Sequence, residues 1–322
     1  MRIATVTLNP AIDQTVRVDR FRPGTVNRGG SMQWDAGGKG VNVAAFLADY
    51  GAAVGADFDL EVVATGFLGQ ENLGLFEQLF ARKGIADRCV RIPGRTRTGI
   101  KIVDEAAGQT TDINMPGQAP TAEAVATLLA TIDQLANDCD WFALSGNLPP
   151  GVPETLYADI IGRLKARGRS VALDTSREPL RLGIQAGPTV VKPNVDELSE
   201  LCGGALAGET AIKAAARRLL ASGIELVVAS MGERGALFVD ATRSLAVTPP
   251  AVAVKSTVGA GDALVAGVIA GRGQGMDLAD CARLATAFAA GAITRLGARL
   301  PPREELDALF QQVAVRRCGR AV

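Results

Sequence analysis

The residue types best placed to do chemistry lie in Ser256-Thr257-Val258-Gly259-Ala260-Gly261-Asp262, which runs into Ala263-Leu264-Val265. Small residues let a backbone approach a ligand closely, and amides at a helix N-terminus point outward at an anion. Asp262 there can accept a proton from a hydroxyl while the amides of Gly259, Ala260 and Gly261 stabilise charge on a transferring phosphoryl group. Ser230-Met231-Gly232-Glu233-Arg234-Gly235 follows an apolar strand ending at Ala229, a place that suits a loop lying along nucleotide phosphates. In Lys192-Pro193-Asn194-Val195-Asp196-Glu197, Asn194 and Glu197 stand three apart where a helix begins, oxygen donors for a hard cation such as Mg²⁺. The chain has neither a Walker A loop nor a dinucleotide glycine fingerprint after its first strand, which argues against a dehydrogenase.

A fourth group joins Asp13 to Gly37-Gly38-Lys39-Gly40-Val41-Asn42, a carboxylate, an amide and exposed backbone amides suited to a polyol. Arg28 and Arg97 add two guanidinium groups able to clamp a phosphate bidentately. Taken singly, each segment has an ordinary alternative. Asp262 and Asn194 can be helix caps, Ser230 to Gly235 a hairpin turn, and the arginines solvated surface residues. Histidine is absent, which removes Ser-His-Asp and Cys-His catalysis and leaves acid–base work to carboxylates, lysines or cysteines.

Positioning these groups takes a large α/β framework. With 322 residues and a 48% hydrophobic fraction, the chain can bury a substantial core. Lysine plus arginine and aspartate plus glutamate each total 34, so no global field recruits nucleic acid or an anionic membrane. The five scattered cysteines, none in a CxxC pair, read as reduced thiols, and no signal peptide or membrane span is evident; a cytoplasmic protein is expected.

The chain begins on a strand, Ile3 to Leu8. From residue 120 onward, helices over about 121–136 and 153–167 alternate with strands Trp141–Leu144, Val171–Leu173, Thr189–Val191 and Leu226–Ala229. A β pair lies around 236–247, and helices start at Asp196 and Asp262 and run over about 278–295. That alternation predicts an α/β fold, a mostly parallel sheet wound on both sides by helices. The alternating segments 13–34 and 90–113 fall outside the rhythm and are expected to pair as a small β sheet over one end.

The order of the segments says more than any one of them. An Asp13 strand end, GGKGxN, KPNxxE, SxGxxG and GAGD follow one another, and the series resembles the PfkB/ribokinase family of carbohydrate kinases over essentially the whole chain. Thr7-Leu8-Asn9-Pro10-Ala11-Ile12-Asp13, Gly94-Arg95-Thr96-Arg97 and Asp174-Thr175-Ser176-Arg177-Glu178 carry the same resemblance. It implies one ribokinase-like domain over residues 1–322, with a β lid from about 13–34 and 90–113 that often pairs two subunits as a homodimer.

The implied reaction is ATP-dependent phosphorylation of a ketohexose monophosphate, fructose 1-phosphate first, with fructose 6-phosphate and tagatose 6-phosphate as alternatives. A non-catalytic sugar-phosphate sensor is the reading from another class. Asp262 is then the base and Gly259, Ala260 and Gly261 the anion hole. Asp13, Gly38, Lys39 and Asn42 hold the sugar, and Arg28, Arg97 and Asn147 hold its phosphate. Lys192, Asn194, Glu197 and Ser230, Met231, Gly232, Glu233, Arg234 and Gly235 serve ATP, with Asn194 and Glu197 organising Mg²⁺ through water. Asn147 stands where relatives use a serine, and Gly99 where an asparagine is usual.

Overall fold

The computed structural model describes residues 1–104 and 106–319; Glu105, within the second expected β segment, and the last three residues lie outside it. Strand β1 (Arg2–Thr7) is buried over nearly its whole length, as a strand covered on both faces must be. β2 (Ala11–Val18) and β3 (Gly29–Gly37) follow as a half-exposed ribbon. Next come α1 (Lys39–Val54), β4 (Glu61–Gly69), α2 (Gly74–Lys83) and the short β5 (Ala86–Asp87) and β6 (Val90–Ile92). β7 (Thr98–Asp104) and β8 (Gln109–Asn114) make a second ribbon. Then α3 (Ala122–Leu135), β9 (Trp141–Ser145), α4 (Leu156–Lys165), β10 (Ser170–Asp174), α5 (Arg177–Gln185) and β11 (Val190–Val191) alternate. The chain continues through α6 (Val195–Cys202), α7 (Gly208–Leu219), β12 (Leu226–Ser230), β13 (Ala236–Val239) and β14 (Ser244–Thr248). It closes with α8 (Ala260–Gly273), α9 (Leu278–Ile293), α10 (Arg303–Gln312) and β15 (Ala314–Arg317).

The main sheet has the order β15-β14-β13-β12-β11-β10-β9-β1-β4-β5, with β6 also beside β4. It is parallel from β12 to β5 and antiparallel from β12 to β15. One apolar cluster draws on α1, α2, α8, α9 and α10, the other on α3 through α7, so helices cover both faces as expected. In the register Val6 pairs with Leu144, which pairs with Leu173, so the strands' carboxyl ends reach one common edge. In doubly wound sheets that edge is where ligands bind. Here it gathers the turns after β1, β9, β10, β11 and β12.

A separate sheet, β3-β2-β7-β8, stands over this edge. Its register sets Asp13 opposite Gly99 and Gly99 opposite Asn114, placing these residues and Lys101 on one face. The other face carries Val16, Met32, Trp34, Ile100 and Ile113. The expected β segment 90–113 does not enter this sheet whole. Val90–Ile92 runs parallel to β4, because Ile92 is buried in the core cluster beneath α3.

Candidate active site

Helix α8 begins at Gly259, whose φ of 83° is left-handed backbone that a side chain would strain. Three residues on, Asp262 is only 6% exposed, and its Oδ2 accepts a 2.8 Å hydrogen bond from Asn42 Nδ2. Asn42 reaches it because α1 starts close to the sheet. Gly38 precedes that helix at φ 111°, where a Cβ would sit 3.0 Å from Pro10 Cα and Thr7 Cγ2. Burial, and then the Asp174 charge, push the Asp262 carboxyl up to about 6, against Lys39, the Asn42 bond and Lys192. A carboxylate held there is a usable base near neutral pH.

Asp174, at the carboxyl end of β10, is fully buried and was not among the expected site residues. Lys39 Nζ and Lys192 Nζ each lie 3.2 Å from its Oδ1. Burial alone would raise this carboxyl; Lys192 and Lys39 outweigh it and hold it below the usual range. For Lys39 burial works downward, and Asp174, then Asp262, raise the ammonium instead. Asp174 is therefore the counter-ion that seats two lysines beside the base. An aspartate at the end of an apolar strand, in Asp174-Thr175-Ser176, was the available signal.

Opposite α8, a cleft of about 650 Å³ includes Asp13, Gly38, Lys39, Asn42, Arg97 and Asn147 together with Lys192, Gly259, Gly261 and Asp262. Asn9, Lys101, Asn114 and Arg177 line it as well, and none of these was expected. Asp13 accepts a 2.6 Å bond from Lys101 Nζ on the neighbouring strand. Asn114, directly across from Gly99, brings an amide oxygen 3.6 Å from where a Gly99 side chain would start. The turn carrying Asn147 is pinned by Gly146 N donating to Asp174 O at 2.9 Å and Tyr157 Oη donating to Gly146 O at 3.0 Å. Among the described residues Arg97 donates only to carbonyl oxygens, of Met115 and Asn9 at 3.3 Å, and burial lowers its pKa.

Arg28 stands apart from the other expected residues in the single chain. It is exposed, lies just before Gly29 and falls outside the cleft lining, because Gly29 pairs with Val18 at the outer end of the ribbon. Val18 lies five positions beyond Asp13 along β2, about 17 Å of strand. Ser230 to Gly235 and the pair Asn194 and Glu197 also stand outside the lining of this cleft, one strand end away; Ser230 forms a parallel bridge with Asn194. Asn194 and Glu197 make a reciprocal capping box on α6, Asn194 Oδ1 accepting from Glu197 N and Glu197 Oε2 from Asn194 N, both at 2.8 Å. Burial raises the Glu197 carboxyl. Among the described residues no group of three or more acidic, cysteine or histidine side chains forms a metal cage. Asn194 and Glu197 supply oxygen donors only, and the second Glu197 oxygen takes no hydrogen bond from a described residue. That set fits Mg²⁺, which keeps most of its waters and phosphate ligands and needs few protein oxygens.

A buried carboxylate in the first turn of a helix, set at the switch edge of a doubly wound sheet, is the arrangement of a ribokinase-type phosphotransferase. The model of the pfkB family carbohydrate kinases matches residues 6–305, and the chain belongs to that family. The 1-phosphofructokinase of Rhodobacter capsulatus is 47% identical over 317 residues, covering 98% of this chain and 98% of its own. That of Xanthomonas campestris pv. campestris is 47% identical over 296 residues, covering 89% and 90%. The solved structure of phosphofructokinase-2 from Escherichia coli, in complex with substrates and products, superposes with a TM-score of 0.89 at 28% identity, covering 97% and 99%.

Proposed function

We propose that the chain transfers the γ-phosphoryl group of ATP to fructose 1-phosphate, giving fructose 1,6-bisphosphate. The observation that carries this reading is Asp262: buried, poised near 6, bonded by Asn42 and open to a cleft whose far wall holds an arginine without an acidic partner. Full-length relatives named 1-phosphofructokinase support the choice of sugar.

In this reading Asp13, Gly38, Lys39, Asn42 and Asn114 hold the sugar hydroxyls, and Arg97 and Asn147 meet the phosphate already present. Asp262 takes the proton of the attacking hydroxyl. The backbone N–H groups of Gly259, Ala260 and Gly261 face the charge that develops on the transferred group. Lys39 and Lys192, fixed by Asp174, add positive charge to the same place. Ser230 to Gly235 line the ATP side. Asn194 and Glu197 hold Mg²⁺ through water, and when bound it neutralises charge on the phosphate oxygens.

Alignment and charge stabilisation dominate phosphoryl transfer, so a site without histidine suffices. The small sheet acts as a lid, and its apolar outer face pairs two subunits. ADP release from MgATP decides the matter, measured with fructose 1-phosphate, fructose 6-phosphate, tagatose 6-phosphate and fructose and ranked by kcat/KM. A preference for fructose 1-phosphate is expected. Preference for another sugar phosphate would keep the mechanism and move the specificity; no turnover of any would leave a sensor.

A further inference from the structure

We infer that Arg177 is a substrate-binding residue which, with Arg97, grips the phosphate that the sugar brings into the cleft. The inference rests on the ketohexose-phosphate reading above and names a second cation within the same chain's cleft. Arg177 is the first residue of α5, directly after the turn that follows Asp174. Its φ is 57°, left-handed backbone that an L side chain adopts only at a cost in free energy. Glycine would adopt that conformation freely. A bulky cation kept in it, at the wall of a cleft, is the kind of local strain that persists where the side chain has a task.

The surroundings define that task. A second cavity, also about 650 Å³, adjoins the Asp262 cleft. The two share Asn9, Arg97, Asn114, Asn147, Ser176 and Arg177 as lining. Every one of these side chains offers a hydrogen-bond donor and none is acidic. The one acid of the second cavity, Glu154, is not in the shared seam.

Neither guanidinium is in an ion pair with a described residue, although the Asp13 carboxylate acts on Arg97 from across the cleft. Arg97 meets only two carbonyl oxygens, and its Nε is buried without a partner. Arg177 forms no ion pair or side-chain hydrogen bond with any described residue, whereas Arg181, one turn on, is tied to Glu178. Two open guanidinium groups, three amides and a hydroxyl facing one seam make a site for a tetrahedral dianion. Arg177 is three residues on from Asp174, at most about 10 Å of chain, so this seam and Asp174 belong to one substrate-sized cleft.

The test compares wild type with Arg177→Gly, which removes the cation and relaxes the backbone, and Arg177→Gln, which removes the charge but keeps a long side chain. Both variants are expected to raise KM for fructose 1-phosphate by about tenfold or more, the loss of a charge-assisted contact. KM for ATP stays within about twofold in each, since Arg177 lies on the sugar side. Arg177→Gly also melts at or above the wild-type temperature, by about 1–3 °C. A merely structural residue would lower the melting temperature and move both KM values together, and that result would overturn the proposal. So would an unchanged KM for fructose 1-phosphate with an active wild type, leaving the kinase reading intact. A wild-type enzyme silent on every ketohexose phosphate would sink both.

Discussion

The environment of Asp262 sets both a catalytic and a stability signature. Its carboxyl is raised from 3.8 to about 6, by burial first and the Asp174 charge second. Only the ionised form can accept a proton, so kcat/KM is expected to fall about tenfold per pH unit below roughly pH 6. A pH–rate profile reads that midpoint directly. The Asn42 hydrogen bond favours the ionised form. Asn42→Leu removes it and should move the acid limb to higher pH; a limb that stayed put would detach Asn42 from the base.

The same shift has a stability sign. The folded state binds the Asp262 proton more tightly than the unfolded chain, so ionising this residue as pH rises through about 6 weakens the fold. Asp262→Asn is therefore expected to lower kcat by about 10² to 10⁴ while raising Tm at pH 7, by an amount corresponding to on the order of 2 kcal/mol. The Tm advantage shrinks as pH falls from 7 toward 4, where wild-type Asp262 is protonated too. Thermal melts of both proteins across that window check it.

At the scale of elements, the strand ends do the positioning, and β10 does most. Asp174 sits where that strand stops, and its Oδ1 takes both lysines. Asp174→Ala leaves Lys192 buried and Lys39 half-buried without their anion, a loss of about 3–5 kcal/mol by the usual penalty for an orphaned buried charge. Urea denaturation should show that loss, together with a collapse in kcat. Asp174→Asn keeps the shape and should lose less stability than activity.

How far such elements are legible in the sequence follows from their periodicity. The parallel core strands and the helices α3 and α9 are long or strongly apolar, and the sequence pattern places them within a few residues. Helices α5, α7 and α10 are amphipathic but lack a long apolar run. Each is short and threads arginine and glutamate densely among a few apolar side chains. Arg177, at the head of α5, also sits in a conformation that no helix-start rule anticipates. The motifs single out Asp262, Asn42, Asp13 and Lys192 because each lies beside a glycine- or proline-marked turn. Asp174, Lys101 and Asn114 escape because their roles come from pairings across β10, β7 and β8 that only the folded register creates.

For the whole molecule, the small sheet poses a question of covering. Its outer face leaves Met32 57%, Trp34 43% and Ile113 44% exposed, and Val26 at the ribbon's tip 87%. Four strands span about 19 Å, and seven residues about 24 Å along them, so the whole face, Gln14 and Thr111 included, measures roughly 450 Å². An apolar patch on that scale is of the size that marks contact sites on protein surfaces. With no net charge to hold copies apart, a second copy of the same sheet is the natural cover, and a two-fold pairing satisfies both patches at once. The wild type is therefore expected to sediment as a dimer at micromolar concentration. Met32→Glu combined with Trp34→Glu places two like charges on each face and should yield a monomer with the main sheet intact by circular dichroism. The opposite faces of the strands carry Asp13 and Lys101, so the double variant tests coupling as well. If lid order depends on pairing, KM for the sugar phosphate rises in the monomer while Asp262 keeps its pH midpoint; a wild type that sediments as a monomer would end the dimer reading.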